Sequence, residues 1–344
     1  MSAIVPSAAL FLTSLFIWLA LKSGLAYRFL DEPNHRSLHT RPTPHIGGEA
    51  MVLAVAAVLI ASLLPPKWLT SQILLSNQMK WPLIGALLLA ITGSLDDRFK
   101  LPVLSRLLAQ AAAAGLAIWS LSTSIPTSNP TSNYWTVGLL LFFIIIWATN
   151  LYNFMDGADG IAGTTALIGF STFNIVAPQS QWGELSLILA ASSLGFLCFN
   201  WSPAKTFLGD AGSTSLGYLA AVVGIAGAAQ SLWPVWFVLL VFLSFLFDSG
   251  FTLLRRLINR EKFWQGHRSH LYQRLVQTGW SHGRLCFWMA ALQLACCLCA
   301  IVTNVYSPAL GGFVLLFATT WHIGIAIWIH QKWVRHQAND PLAN

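Results

Sequence analysis

Charge is what this sequence has least of. Of its 344 residues only 9% are Asp, Glu, Lys or Arg, with 12 acidic and 19 basic, whereas 56% are hydrophobic and mean hydropathy is +0.63. An ordinary soluble domain is excluded, since such domains carry roughly a quarter charged residues. The longest strongly polar stretch, Arg255 to Arg284, is too short to bury a core of its own. Cysteine is also sparse. Cys198, Cys286, Cys296, Cys297 and Cys299 lie in apolar segments without metal-ligand spacing to histidine, so they read as small core hydrophobes. There is no His-Glu-x-x-His, which excludes the usual zinc-protease pattern, and no internal repeat of the kind many transporters show. The first apolar run lacks a basic leader and a small-residue cleavage site, and is expected to be a retained helix.

Long apolar runs are what is there. A hydrocarbon layer of about 30 Å needs roughly 20 apolar residues per helix, and such runs follow one another from end to end. The expectation is an all-α, polytopic helical bundle, one unit over 1–344, with about eleven spans at roughly 5–26, 46–64, 81–95, 102–122, 135–151, 160–177, 184–200, 211–229, 232–253, 285–303 and 308–330. The connecting segments alternate in charge. Those near 28–45, 96–101, 201–210, 254–284 and after 330 collect nearly all Lys and Arg, while the opposite set holds only Lys67 and Lys80. The positive-inside rule makes the first set cytoplasmic, with the N-terminus outside and the C-terminus inside. The net charge of +7 is thereby a topology signal rather than a nucleic-acid footprint.

The chemistry-bearing residues fall on the basic side. Asp96 and Asp97 adjoin each other at the exit of an apolar run, where ionisable groups are costly; a hard cation such as Mg²⁺ between them would relieve their repulsion, and a solvated loop start before a helix is the plainer account. The first inner loop, Asp31 to Gly48, is rich in Pro and Gly, and its Arg36, Arg41 and histidines suit either an anionic ligand or a positive-inside clamp. Asn150, Asn153 and Asp156 recur at spacing three on one helical face, and Asp159 follows through the Gly157 and Gly160 turn; amides with carboxylates suit sugar hydroxyls and base edges. Asp210 precedes an apolar span, as a cap would, among small residues that let a phosphate come close. In the last inner loop His267, Arg268 and His270 look more like a phosphate clamp than a metal site, with a plain positive-inside loop as the other account.

In this order the patches resemble one family over nearly the whole chain, the polyprenyl-phosphate N-acetylhexosamine-1-phosphate transferases of glycosyltransferase family 4. The resemblance rests on Pro42-Thr43-Pro44 with Gly47-Gly48, Leu95-Asp96-Asp97, Asn153-Phe154-Met155-Asp156-Gly157-Ala158-Asp159-Gly160, Phe207-Leu208-Gly209-Asp210-Ala211-Gly212-Ser213, and His267 with His270. It implies transfer of a sugar 1-phosphate from a UDP-N-acetylhexosamine to undecaprenyl phosphate in the bacterial inner membrane, at a cytoplasmic active site. The cofactor implied is Mg²⁺, with Mn²⁺ as a substitute, and the product released is UMP. The resemblance further implies Asp210 with Asp97 as metal ligands, and Asp96 or Asp97 as base, nucleophile or orienting group. Asn153, Asp156 and Asp159 would contact the nucleotide, His267, Arg268 and His270 the diphosphate, with Arg41 a further contact. Partners beyond the substrates are membrane lipids, and a homodimer is compatible with it. The peptidoglycan branch typically carries His-His-His where this chain has His-Arg-Ser-His. That departure points to the branch that starts O-antigen, common-antigen or related surface-polysaccharide synthesis.

Two other classes compete. A secondary transporter would place carboxylates near mid-span, where only Asp248 lies. An intramembrane aspartyl protease would use a Gly-x-Gly-Asp element, of which Leu208-Gly209-Asp210 lacks the first glycine.

Overall fold

The computed structural model describes residues 3–33, 37–63, 76–122, 124, 132–262 and 267–339. His35 and Arg36 of the first inner loop and Lys67 lie outside the described residues. In hydrocarbon every backbone N–H and C=O must be satisfied within its own segment, so apolar runs become helices. In chain order these are α1 (Ile4–Lys22), α2 (Gly47–Ala61), α3 (Asn77–Phe99), α4 (Val103–Leu121), α5 (Ser132–Met155), α6 (Ile161–Val176) and α7 (Gln181–Asn200). They continue as α8 (Gly209–Ala229), α9 (Val235–Val241), α10 (Leu243–Ile258), α11 (Leu271–Gln277), α12 (His282–Tyr306) and α13 (Gly311–Asn339). Sheet among the described residues is limited to the antiparallel pair β1 (Leu30–Asp31) and β2 (Thr43–Pro44). The protein is therefore an all-α polytopic membrane protein.

Each expected span has a helix, but the count of eleven needs qualification. Seven described helices are long and apolar enough to cross a membrane, or eight if α9 and α10 are one broken span; α2 and α6 are apolar but shorter. The run expected at 232–253 is not straight. It bends by 80° at Phe242, with neither Pro nor Gly at the break. The carbonyl of Val241 accepts instead from the Gln293 side chain of α12 at 3.3 Å, so a side-chain donor stands in for the interrupted ladder.

The α3 helix runs further than expected. It continues to Phe99, so Asp96 and Asp97 stand in its last turn rather than on a connecting segment. Lys100 then closes it in the left-handed region at φ 53°, donating its N–H to the Asp96 carbonyl at 2.8 Å.

At the centre is α8, the most enclosed of the spans, packed against α2, α3 and α5. Small residues allow this closeness. A Cβ on Gly93 of α3 would run into the Asp210 and Ala211 backbone, and one on Gly48 of α2 into Gly212. The two glycines thus bring the end of α3 and the start of α2 onto the N-terminus of α8. Gly93→Ala is expected to cost about 1–3 kcal/mol through overpacking. Thermal unfolding in detergent checks this, and an unchanged midpoint would mean that α3 and α8 do not approach so closely.

Candidate active site at the junction of three helix ends

The end of α3, the start of α8 and the turn from α5 to α6 enclose a polar cavity of about 780 Å³. Its lining includes Asp96, Asp97, Asn153, Asp156, Asp159 and Asp210. Six candidates from three separate motifs thus share one cavity. Asp97 Oδ2 accepts the backbone N–H of Asp210 at 3.0 Å, so it is Asp97, not Asp210, that satisfies this first-turn donor of α8. Asp210 is left with its carboxylate facing the cavity. Gly209 enters that turn at φ 72°, and a Cβ there would crowd Asp97 Oδ2 and the His45 carbonyl. Asp96 is 6% exposed and bonded by Arg106 Nη1 at 2.9 Å.

The α5–α6 side is built differently. The helix stops at Met155, so the spacing-three face holds only in part: Asn153 is its last cavity-facing residue, and Asp156 and Asp159 follow on the turn. Asn150 leaves the set, pairing reciprocally with Gln110 at 2.7 and 3.2 Å. The Asn153 Oδ1 accepts from Ser213 Oγ at 2.7 Å, which ties α5 to α8. Burial, with the charges of Asp210, Asp97 and Asp31, pushes the Asp156 carboxyl well above the usual range. For Asp159 burial acts in the same direction, but His282 at 3.1 Å and the Ala204 N–H at 3.2 Å outweigh it and hold the group below its usual value.

His267, Arg268, His270 and Arg41 are not among the residues lining this cavity. His270 is 2% exposed beside Asp248, with Nδ1 3.4 Å from Oδ1, and stacks on Tyr272. His267 lies against His270 and Ser269; burial first, then the neighbouring His270, Arg256 and Arg255, pull it down to about 4, so it is neutral near pH 7. Arg268 offers its carbonyl to Gln277, and Arg41 is exposed next to β2. The segment is nevertheless a near neighbour of the cavity. Tyr272 Oη donates to the Phe154 carbonyl at 3.3 Å, and Gln273 of the same helix reaches the lining.

Some functional residues escape sequence reasoning. Arg106, His282, Asp31 and Gln273 also line the cavity. Arg106 carried a usable signal as a lone cation inside an apolar run. The others had none, since their positions depend on how remote helices pack. Asp248, the candidate mid-span carboxylate, plays a structural part instead. It accepts the Leu271 and Tyr272 backbone N–H groups at 2.8 and 2.9 Å and so caps α11.

A second cavity of about 520 Å³ borders the first, sharing Asp96, Arg106, Asn153 and Asp210 with it and otherwise lined largely by apolar residues of α3, α4, α5 and α10 such as Leu89, Leu107, Trp147 and Leu254. Charge chemistry and an apolar channel therefore meet at the same four side chains. The donor set fits a hard divalent cation. Asp96, Asp97 and Asp210 crowd together with Arg106 as the guanidinium in the lining, and their carboxylate oxygens are the ligands Mg²⁺ prefers. Asp210 and Asp97 are the residues that would hold it.

A family model described as Glycosyl transferase family 4 matches residues 80–228, which run from α3 through α8. The chain is 31% identical over 286 residues to a probable undecaprenyl-phosphate N-acetylglucosaminyl 1-phosphate transferase of Bacillus subtilis (strain 168), covering 79% of this chain and 75% of that protein. It is 30% identical over 290 residues to a decaprenyl-phosphate N-acetylglucosaminephosphotransferase of Mycobacterium leprae (strain TN), covering 74% and 71%. Similarity extends, at 35% over 202 residues and 54% and 59% coverage, to a phospho-N-acetylmuramoyl-pentapeptide-transferase of Streptococcus pyogenes serotype M3 (strain ATCC BAA-595 / MGAS315).

Proposed function

The chain belongs to glycosyl transferase family 4, the polyprenyl-phosphate sugar-1-phosphate transferases, and we propose that its own reaction joins an N-acetylhexosamine 1-phosphate from a UDP-sugar to undecaprenyl phosphate, releasing UMP. The observation that carries this reading is the pair of adjoining cavities, one rich in carboxylates and one largely apolar, meeting at Asp96, Arg106, Asn153 and Asp210. The polar cavity suits a nucleotide sugar with its diphosphate. The apolar one suits the first isoprene units of a lipid whose phosphate reaches the shared residues. The location that goes with this is the bacterial inner membrane with the site on the cytoplasmic face, because the basic segments converge on it.

The chemistry is a displacement at phosphorus. An oxygen of the lipid phosphate forms a bond to the sugar-bearing phosphorus as the bond from that phosphorus to the UMP oxygen breaks, and UMP leaves with the electron pair. A phosphate monoester is mostly dianionic near pH 7, its second pKa being about 6, so the nucleophile needs little help from a base. Positioning and charge neutralisation dominate. Arg106, held by Asp96, stands where the two cavities meet and neutralises an entering phosphate. Asn153 offers its side-chain amide N–H to substrate while its oxygen is engaged by Ser213. Asp97 keeps the α8 N-terminus and Asp210 in register. Mg²⁺, when bound by Asp210 and Asp97, would supply the charge that the diphosphate and the leaving UMP require.

Among products, an initiating lipid for O-antigen, common-antigen or a related surface polysaccharide is favoured by His267-Arg268-Ser269-His270 in place of a histidine run. The test offers the purified full chain a panel of UDP-N-acetylhexosamines and UDP-N-acetylmuramyl-pentapeptide with undecaprenyl phosphate and Mg²⁺. UMP release and a lipid-linked product are expected with at least one N-acetylhexosamine and not with the pentapeptide. No UMP from any donor would end the reading; turnover of the pentapeptide alone would reassign the branch.

A further inference from the structure

Two residues at the edge of the site, His45 and Glu49, are used by none of the chemistry above. His45, just before α2, and Glu49, in its first turn, meet the end of α3 at Asp97, with one ligand atom of each within 4.8 Å of the others. We propose that these three residues form a second cation site in the cavity wall, selective for a borderline divalent ion of the Zn²⁺ type over Mg²⁺.

Four observations support it. His45 Nδ1 and Asp97 Oδ2 are 3.5 Å apart. Two ligands at the 2.0–2.2 Å bond lengths of a tetrahedral zinc ion stand about 3.3–3.6 Å apart, so an ion could bridge them with little movement. Glu49 Oε2 is buried without a hydrogen-bond partner among the described residues, and His45 Nδ1 is buried with the Asp97 contact in place of a hydrogen bond, although buried polar atoms are normally satisfied. Glu49 is already held in place, since Ser94 Oγ donates to its Oε1 at 3.0 Å, the outer-shell support that ligating carboxylates usually have. The frame is also rigid: the N–H groups of Gly47 and Gly48 donate to the carbonyls of Phe207 and Leu208 at 2.9 and 2.8 Å.

Ligand type gives the selectivity. An imidazole nitrogen suits Zn²⁺ and similar ions and is a poor partner for Mg²⁺, whose proposed ligands next door are all oxygens. The two sites share Asp97. An ion on His45 and Glu49 would draw Asp97 Oδ2 from the Asp210 N–H, and zinc would therefore inhibit. Only that last consequence rests on the transferase reading; binding itself does not.

The experiment measures Zn²⁺ retained by the purified full chain, without substrate, during dialysis against millimolar Mg²⁺, together with the zinc absorption-edge spectrum. One bound Zn²⁺ per chain is expected, with only nitrogen and oxygen ligands at about 2.0–2.2 Å. His45→Gln and Glu49→Gln should each weaken binding at least about tenfold. Removal of the zinc by Mg²⁺, a sulfur ligand near about 2.3 Å that assigns it to cysteines, or affinity unchanged in both variants would overturn the proposal. Should either variant fail to fold, the spectrum of the unmodified chain decides. Failure of UMP release from the zinc-free chain, with zinc binding intact in the separate assay, would strike the transferase reading alone.

Discussion

Asp210→Asn is expected to fold like the parent protein and to lose at least about 10³-fold in kcat, equivalent to about 4 kcal/mol of transition-state stabilisation. The substitution is nearly isosteric. The backbone N–H of Asp210 still donates to Asp97 Oδ2, so the start of α8 keeps its partner, and only a cavity-facing carboxyl group is replaced by an amide. Asp97→Asn should lose somewhat less, because an amide oxygen can still accept from that N–H. Asp159→Asn should lose least, since this carboxylate is committed to His282 and the Ala204 N–H and acts on the site by holding the turn. Initial rates of UMP release at saturating donor, with unfolding midpoints measured in parallel, give the ranking. An Asp210→Asn enzyme retaining a tenth of parent kcat would remove Asp210 from the chemistry.

The second large effect is structural. Asp248→Ala should detach α11, because two buried N–H groups and the neighbouring His270 lose their shared carboxylate. Unpaired buried donors cost about 1–3 kcal/mol each, so with two of them a loss of about 3 kcal/mol of docking energy is a conservative expectation. Asp248→Asn keeps one acceptor oxygen and should lose about half as much. Hydrogen exchange over 267–277 reads this directly: protection should collapse in Asp248→Ala and fall partly in Asp248→Asn. Activity should fall with it, since α11 carries Gln273 to the cavity and Tyr272 to the Phe154 carbonyl. Unchanged protection in Asp248→Ala would show that α11 is held by its apolar contacts alone. The capping role also answers the transporter reading, whose one mid-span carboxylate is occupied by two backbone donors.

Much of the site was legible because its residues violate their surroundings. Asp96, Asp97, Asp156, Asp159 and Asp210 are buried or half-buried carboxylates in a chain with 12 acidic residues, and their cost marks them wherever they occur. The amides and glycines between them add a chemical theme that survives without coordinates. The His267–His270 segment was legible as a motif but not as a place. Its positive composition suggests a clamp, yet Asp248 and Tyr272 draw His270 inward, and its relation to the cavity passes through α11.

Composition and run length alone decided that the chain is helical and membrane-embedded, because a backbone in hydrocarbon has no other way to satisfy its hydrogen bonds over such lengths. Local sequence likewise decided which short stretches carry chemistry. Tertiary structure decided the rest: that Asp97 rather than Asp210 satisfies the start of α8, that α10 turns by 80° from α9, and that Arg106 and His282 join the carboxylates. Most of these depend on partners tens to more than a hundred positions away. Periodicity and propensity report only on neighbours within a turn or two, so such pairings become visible once glycines at 48 and 93 let three helices close on one another.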